Sequence, residues 1–299
     1  MQKKFVFTGA GVAIVTPFHA DNSVNYEKLG ELIDDQIARG TDAIIICGTT
    51  GESPTLSPGE HIDCIRFAVK HTAGRVPVVA GTGSNDTAFA LQLSLEAEEA
   101  GADALLMVTP YYNKASQAGL IRHFTYVADR VKTPIILYNV PSRTGVNIQP
   151  ETYAALGQHE NIVGIKEANG DISAVAKTIA LCGDSMAVYS GNDDQITALI
   201  ALGGKGVISV LSNVAPELAH DIAAKGVAGD IPGSTALQLK YLDLCNDLFC
   251  DVNPIPVKEA LNILGWDVGE PRLPLIPASE ATRTMLTNAL AEYPVQFHS

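Results

Sequence analysis

Apolar positions along this chain follow two alternating rhythms. Short, near-continuous β-rich runs begin near Gly11, Ala43, Val76, Ala104, Pro134, Ile162, Met186 and Gly206, at intervals of 32, 33, 28, 30, 28, 24 and 20 residues. Runs such as "AIIICGTT", "VPVVAGTG" and "PIILYNVP" are apolar on both alternating sets of positions, as strands are when both faces of a parallel sheet are covered. Between them the apolar positions take helical spacing. Leu29, Leu32, Ile33 and Ile37 share one helical face, and Gly40 supplies a stop. "SPGE" puts Ser57 at an N-cap, Pro58 at the first helical position and Glu60 three residues after the cap. Eight strand–helix units in succession predict an α/β chain closed as a (β/α)8 TIM barrel.

After about Ser212 the strand rhythm stops. "APELAHDIAAKG", "GSTALQLKYLDLCNDLFC", "IPVKEALNILG" and the segment from Ala278 to Glu292 read as helices. No linker separates them from what precedes. The expectation is a barrel over 1–214 and a C-terminal helical extension over 215–299 packed on it.

Composition suits this picture. Of 299 residues, 46% are hydrophobic and 18% charged, enough for a large buried core. The net charge of −13 argues against a nucleic acid or an anionic membrane as partner, while leaving room for a local basic pocket that takes a small acid. Lys3 and Lys4 precede an apolar run, as in a signal peptide. However, Thr8, Gly9 and Gly11 interrupt that run, and Pro17 ends it without a small-x-small cleavage site. A first strand is the better reading, and no run has transmembrane length, so a cytoplasmic protein is expected. The five cysteines, Cys47, Cys64, Cys182, Cys245 and Cys250, are scattered without C-x-x-C spacing, which predicts reduced thiols and no zinc.

Sites in such barrels lie at the C-terminal ends of the strands. Here those ends read "CGTTGES", "VTPYYN", "LYNVPSRTG" and "YSGND", with "GIKEA" on the sixth strand and "GVISVLS" on the eighth. Lys166 is the anomaly, an amine inside an apolar strand. Side chains alternate along a strand, so Ile162, Gly164 and Lys166 share a face; Gly164 is expected to leave space beside the lysine stem, and Glu167 to point the other way. Removing an amine from water disfavours its charged form, and a neutral amine is a nucleophile towards a carbonyl. Pairing with a carboxylate and snorkelling to the surface are the structural alternatives. In "GTTGES", Gly48 and Gly51 allow close backbone approach while Thr49 and Thr50 add hydroxyls, an arrangement suited to a small carboxylate or to an ordinary turn. Tyr111, Tyr112 and Tyr138 read as core aromatics or, beside a threonine pair and an amine, as proton carriers. Arg143 is a solvated loop charge or a bidentate carboxylate clamp.

The ordered set "GTTGES", "VTPYYN", "LYNVPSRTG", "GIKEA" and "NPIPVK" resembles the dihydrodipicolinate synthase family, whose wider membership includes N-acetylneuraminate lyase and sugar-acid aldolases. The resemblance runs from "FTGAGVAIVTP" to "RLPL", and Arg143 in "NVPSRTG" points to the synthase branch. It implies a Schiff base between Lys166 and C2 of pyruvate. The derived enamine would attack L-aspartate 4-semialdehyde to give 4-hydroxy-tetrahydrodipicolinate, with no metal or organic cofactor. It further implies a proton relay of Tyr138, Thr49 and Tyr112, the last from a neighbouring subunit. Thr50, with backbone groups of Thr49 and Thr50, would hold the pyruvate carboxylate and Arg143 the semialdehyde carboxylate, while Gly191 and Ile208 would line the pocket. A homotetramer of two tight dimers is implied as well. Ser53, His61, Asn85 and Tyr111 match the cleft where feedback-inhibited relatives bind lysine. Pro58 and Phe89 stand where those relatives have a histidine and a glutamate, so lysine inhibition is expected to be weak or absent.

Other readings fit less well. An N-acetylneuraminate or 2-keto-3-deoxy sugar-acid aldolase shares Lys166 and "GTTGE" but leaves Arg143 unexplained. A silent acid-binding sensor has no need of the intact lysine, tyrosines, threonines and arginine. His19, His61, His71, His123, His159, His220 and His298 are dispersed, with no zinc-like spacing. "GTGSND" has Asp86 in place of the third glycine of a dinucleotide fingerprint and reads better as a strand end and helix cap. "GGKG" precedes the eighth strand and so lies on the wrong face for a phosphate loop.

Overall fold

The computed structural model describes residues 3–293, so His298 lies outside the described residues. Eight parallel strands close into one barrel in sequence order. They are β1 Gly9–Ala13, β2 Ala43–Ile46, β3 Val78–Gly81, β4 Ala104–Val108, β5 Ile135–Asn139, β6 Ile162–Glu167, β7 Ala187–Ser190 and β8 Gly206–Ser209. The expected (β/α)8 barrel is what forms, and every strand starts within two residues of its expected position. Closure is direct: Gly11 of β1 pairs with Ile208 of β8.

Strand alternation creates two cores. Ile44, Ile46, Leu105, Leu137 and Ile165 face outward and pack under helical residues such as Leu29, Ile33, Ile65 and Phe124. Ile45, Val79, Leu106, Ile136, Tyr138, Tyr189 and Ile208 fill the barrel interior. Phe7, just before β1, plugs the N-terminal end. Its ring stacks on Tyr189 at 4.4 Å between centroids, and the Tyr189 hydroxyl donates to the Phe7 carbonyl at 2.6 Å. The interior is therefore solid below the strand midpoints, and chemistry is confined to the opposite mouth.

Local signals set the helices. Over Pro58–Thr72, Ser57 Oγ accepts from the Glu60 N–H while a Glu60 carboxylate oxygen accepts from the Ser57 N–H, a closed capping box. Asp86 caps Thr87–Glu99 through the Ala88 N–H, as the "GTGSND" reading expects. Beyond β8, Pro216–Val227 packs against β1. The segment read as one helix after Gly233 divides into Ile231–Lys240 and Leu242–Asp247. Tyr241 leaves helical dihedrals there, and its ring packs on Tyr293. Helices Ile255–Ile263 and Glu280–Glu292 pack together, and the segments flanking the first of them return to the barrel mouth. No helix among the described residues is long and apolar enough to cross a membrane. All five thiols are free.

Candidate active site

Tyr138 and Lys166 are register partners on β5 and β6, so both point into the barrel. Only 5% of Lys166 and 7% of Tyr138 is exposed, and the lysine Nζ lies 4.5 Å from the tyrosine ring centroid. Glu167 takes the outward face. Its Oε1 accepts from Asn139 Nδ2 at 2.9 Å and from the Asn169 N–H at 3.0 Å, and its Oε2 from the Tyr153 hydroxyl at 2.8 Å. Burial pushes the Glu167 carboxyl up to about 7, against the pull of these hydrogen bonds. It is committed to this outer network and does not neutralise Lys166.

One expectation is corrected here. Gly164 does not open room for the lysine stem: a side chain there would meet the Ala187 carbonyl, Ile136 and the Tyr189 ring. The glycine beside the stem is Gly191, where an added Cβ would sit 3.2 Å from Lys166 Cε and 2.7 Å from Ala168 Cβ. Its N–H is fixed by the Glu167 carbonyl at 2.7 Å. Ile208 is fully buried in the barrel interior.

The turn after β2 is bracketed by two non-glycine residues in the left-handed region, Cys47 at φ 56° and Glu52 at φ 54°. It is closed by Glu52 N–H to the Thr49 carbonyl at 3.0 Å and by Thr16 Oγ1 to the Gly51 carbonyl at 2.7 Å. Thr50 is buried, and its Oγ1 accepts from Asn253 Nδ2 at 3.0 Å. A hydroxyl whose oxygen is so engaged keeps its own proton to donate. Thr49 and Tyr138 line one cavity of about 40 Å³ with Ser53, Gly83 and Val108, so the two residues border the same space.

Arg143 sits on the short helix Pro141–Thr144 directly after β5, with its guanidinium donating to the Asn253 carbonyl at 3.2 Å. Tyr112 stands apart. It has φ 74° and is 89% exposed, outside the site that one chain builds. Tyr111 beside it is 38% exposed. Of the other residues expected to match the lysine cleft of relatives, the Asn85 carbonyl accepts from Asn113 Nδ2, and His61 turns inward, with Nε2 2.7 Å from the Gly81 carbonyl. A carbonyl only accepts, so Nε2 carries the proton. Burial holds the His61 ring below its ordinary range, which keeps it neutral.

Four residues in the quoted motifs were given no role from sequence. Asn253 bridges Thr50 and Arg143. Glu52 and Lys258 form a buried ion pair at 2.9 Å behind the Thr49–Thr50 turn. Asp193, in "YSGND", is 2% exposed, and its Oδ2 accepts from the N–H groups of Val210 and Leu211. Burial raises its carboxyl, opposed by these bonds and by the charge of Lys166. Among the described residues, no group of three or more His, Cys, Asp or Glu is placed to hold a metal ion.

Fold and site together define a parallel (β/α)8 barrel with a lysine, a tyrosine and a hydroxyl-rich turn inside its C-terminal mouth. The chain belongs to the dihydrodipicolinate synthetase family, whose model matches residues 6–293. It is 58% identical over 286 residues to the 4-hydroxy-tetrahydrodipicolinate synthase of Lachnoclostridium phytofermentans, covering 95% of this chain and 97% of that one. The crystal structure of dihydrodipicolinate synthase from Aquifex aeolicus matches with a TM-score of 0.95 at 44% identity, over 98% of this chain and 100% of that chain. The chloride-inhibited dihydrodipicolinate synthase from Acinetobacter baumannii, in complex with pyruvate, matches at 0.94 and 44%, over 95% and 98% of the two chains.

Proposed function

We propose that the chain condenses pyruvate with L-aspartate 4-semialdehyde to 4-hydroxy-tetrahydrodipicolinate, the first committed step of diaminopimelate and lysine biosynthesis. The observation that carries this is the buried Lys166 amine against the Tyr138 ring at the barrel mouth, in a chain that is 58% identical to a synthase of that name.

The chemistry follows from the placement. Lys166 Nζ adds to C2 of pyruvate, and loss of water gives an imine. The imine withdraws electrons, so a methyl proton leaves and an enamine forms. The enamine carbon attacks the aldehyde, whose oxygen takes up a proton. The amine of the semialdehyde then displaces the lysine as the ring closes. Tyr138 and Thr49, which share a cavity, carry the protons together with Tyr112. Thr50 and the backbone of Thr49 and Thr50 hold the pyruvate carboxylate. Arg143, at the rim, takes the second carboxylate as a bidentate partner, a local cation on a chain of net charge −13. Gly191 and Ile208 form the wall. The lysine supplies the electrophilic catalysis, so this reading needs no metal or organic cofactor.

The exposed, left-handed Tyr112 supports a site completed by a neighbouring copy, within a cytoplasmic homotetramer built as a dimer of dimers. The test is pyruvate consumption with L-aspartate 4-semialdehyde, run beside N-acetylmannosamine and a small sugar aldehyde. Turnover confined to the semialdehyde, with a raised KM for it in Arg143→Ala, is the expected result. Turnover confined to a sugar aldehyde would move the chain to the aldolase branch and remove the role given to Arg143.

A further inference from the structure

The turn that carries Thr49 and Thr50 ends on Glu52, and Glu52 has a left-handed backbone, φ 54° and ψ 35°. Glycine is the residue that adopts this conformation without steric cost. A side chain held there persists only when its surroundings over-determine it, and here they do. The Glu52 carboxylate is 2% exposed; its Oε1 accepts from Lys258 Nζ at 2.9 Å and its Oε2 from the Arg272 N–H at 2.8 Å. Lys258 Nζ also donates to the Thr16 carbonyl at 3.2 Å and the Glu270 carbonyl at 3.0 Å, so its three protons have three acceptors. Its charge further lies 4.3 Å from the Phe18 ring centroid.

A buried ion pair is poor evidence for a stability role, because well-packed apolar residues serve as well or better. Its location indicates what it does. The Glu52 N–H closes the turn onto the Thr49 carbonyl, directly behind Thr50. Five residues before Lys258 on the same segment, Asn253 Nδ2 reaches Thr50 Oγ1. The "NPIPVK" segment thus grips the turn at two points, one on its hydroxyl and one on its last residue.

We propose that Glu52 is a positioning residue: clamped by Lys258 and Arg272, it fixes the left-handed end of the turn and so the geometry with which Thr49 and Thr50 receive the keto-acid carboxylate. The inference rests on the function proposed above. It also assigns the shape of the mouth in part to the C-terminal segment, whose Lys258 acts through Glu52: the ammonium is engaged by Glu52 and by the Thr16 and Glu270 carbonyls.

The test compares borohydride trapping of pyruvate and of acetone on Lys166. Acetone offers the same ketone without a carboxylate. The variants are Glu52→Gln and the double variant Glu52→Gln/Lys258→Met, which removes both charges and leaves neither buried alone. Thermal unfolding is followed in parallel. Pyruvate trapping at subsaturating concentration is expected to fall by about tenfold to a hundredfold, with acetone trapping within about twofold of wild type. An equal fall for both ketones, an unchanged pyruvate rate, or a double variant that no longer folds would each overturn the positioning role. A wild-type protein that fails to trap pyruvate at all would instead overturn the proposed function itself.

Discussion

Asn253 Nδ2 donates to Thr50 Oγ1 at 3.0 Å, joining residues 203 positions apart in the chain. The Asn253 carbonyl meanwhile accepts from Arg143 at 3.2 Å. One residue of the C-terminal segment therefore orients both groups proposed to hold substrate carboxylates. Asn253→Ala removes the side-chain bond and leaves the backbone one. A single such hydrogen bond is worth about 1 kcal/mol net, or roughly fivefold in affinity. The expected outcome is a pyruvate KM raised by about that factor, with the semialdehyde KM changed less. Steady-state kinetics with each substrate varied in turn decides this, and an unchanged pyruvate KM would remove Asn253 from the site.

Tyr138 plays two separable parts. Its ring packs 4.5 Å from the Lys166 amine, and its hydroxyl is the proposed proton carrier. Tyr138→Phe keeps the first and removes the second. The pyruvate adduct should still be trapped by borohydride, while kcat falls by about a hundredfold to ten-thousandfold, the usual share of general acid–base catalysis. Loss of the adduct itself would show that the hydroxyl is needed for binding.

Glu167 gives a pH signature of stability. Its carboxyl titrates near 4.5 when ordinary and is raised to about 7 in the folded chain, chiefly by burial. Between those values the folded state keeps a proton that the unfolded state has released, so this contribution is fully present below about 4.5 and is lost as pH rises through about 7. Glu167→Gln should flatten that part of the profile relative to wild type. Denaturation midpoints of both proteins across this range provide the measurement. Parallel profiles would mean that Glu167 is not protonated in the folded chain at mildly acidic pH.

Binding of lysine to the cleft near Ser53, His61, Asn85 and Tyr111 should be weak or absent. Pro58 begins a helix, Phe89 offers no carboxylate, and His61 Nε2 is already spent on the Gly81 carbonyl. A ligand ammonium left without a counter-charge in a cleft binds poorly. Calorimetric titration of lysine with pyruvate present reads this directly, and micromolar affinity would contradict it.

What the sequence discloses and what it hides differ in range. The barrel was legible because strands covered on both faces read as continuous apolar runs, hence strand starts correct within two residues. Lys166 was legible because an amine inside such a run is anomalous on its face. The glycine beside its stem was misassigned to Gly164, since strand alternation says which face a residue takes but not which neighbouring strand fills the space. Tyr189 and Ile136 fill it, and Gly191 on the next βα turn provides the room. The contacts Asn253–Thr50 and Lys258–Glu52 were invisible for a different reason. Each joins polar residues that look ordinary in place, and only the return of the C-terminal segment to the mouth pairs them. Asp193 was hidden likewise, a turn residue whose carboxylate is buried against the N–H groups after β8.

The imine at Lys166 is tested most directly by reducing the protein with borohydride in the presence of pyruvate and mapping the product by peptide mass spectrometry. A stable pyruvate-derived adduct on Lys166 alone, absent from a folded Lys166→Ala variant, is the predicted result. A wild-type protein that consumes pyruvate with the semialdehyde yet carries no adduct, or carries it on another lysine, would contradict the proposed chemistry.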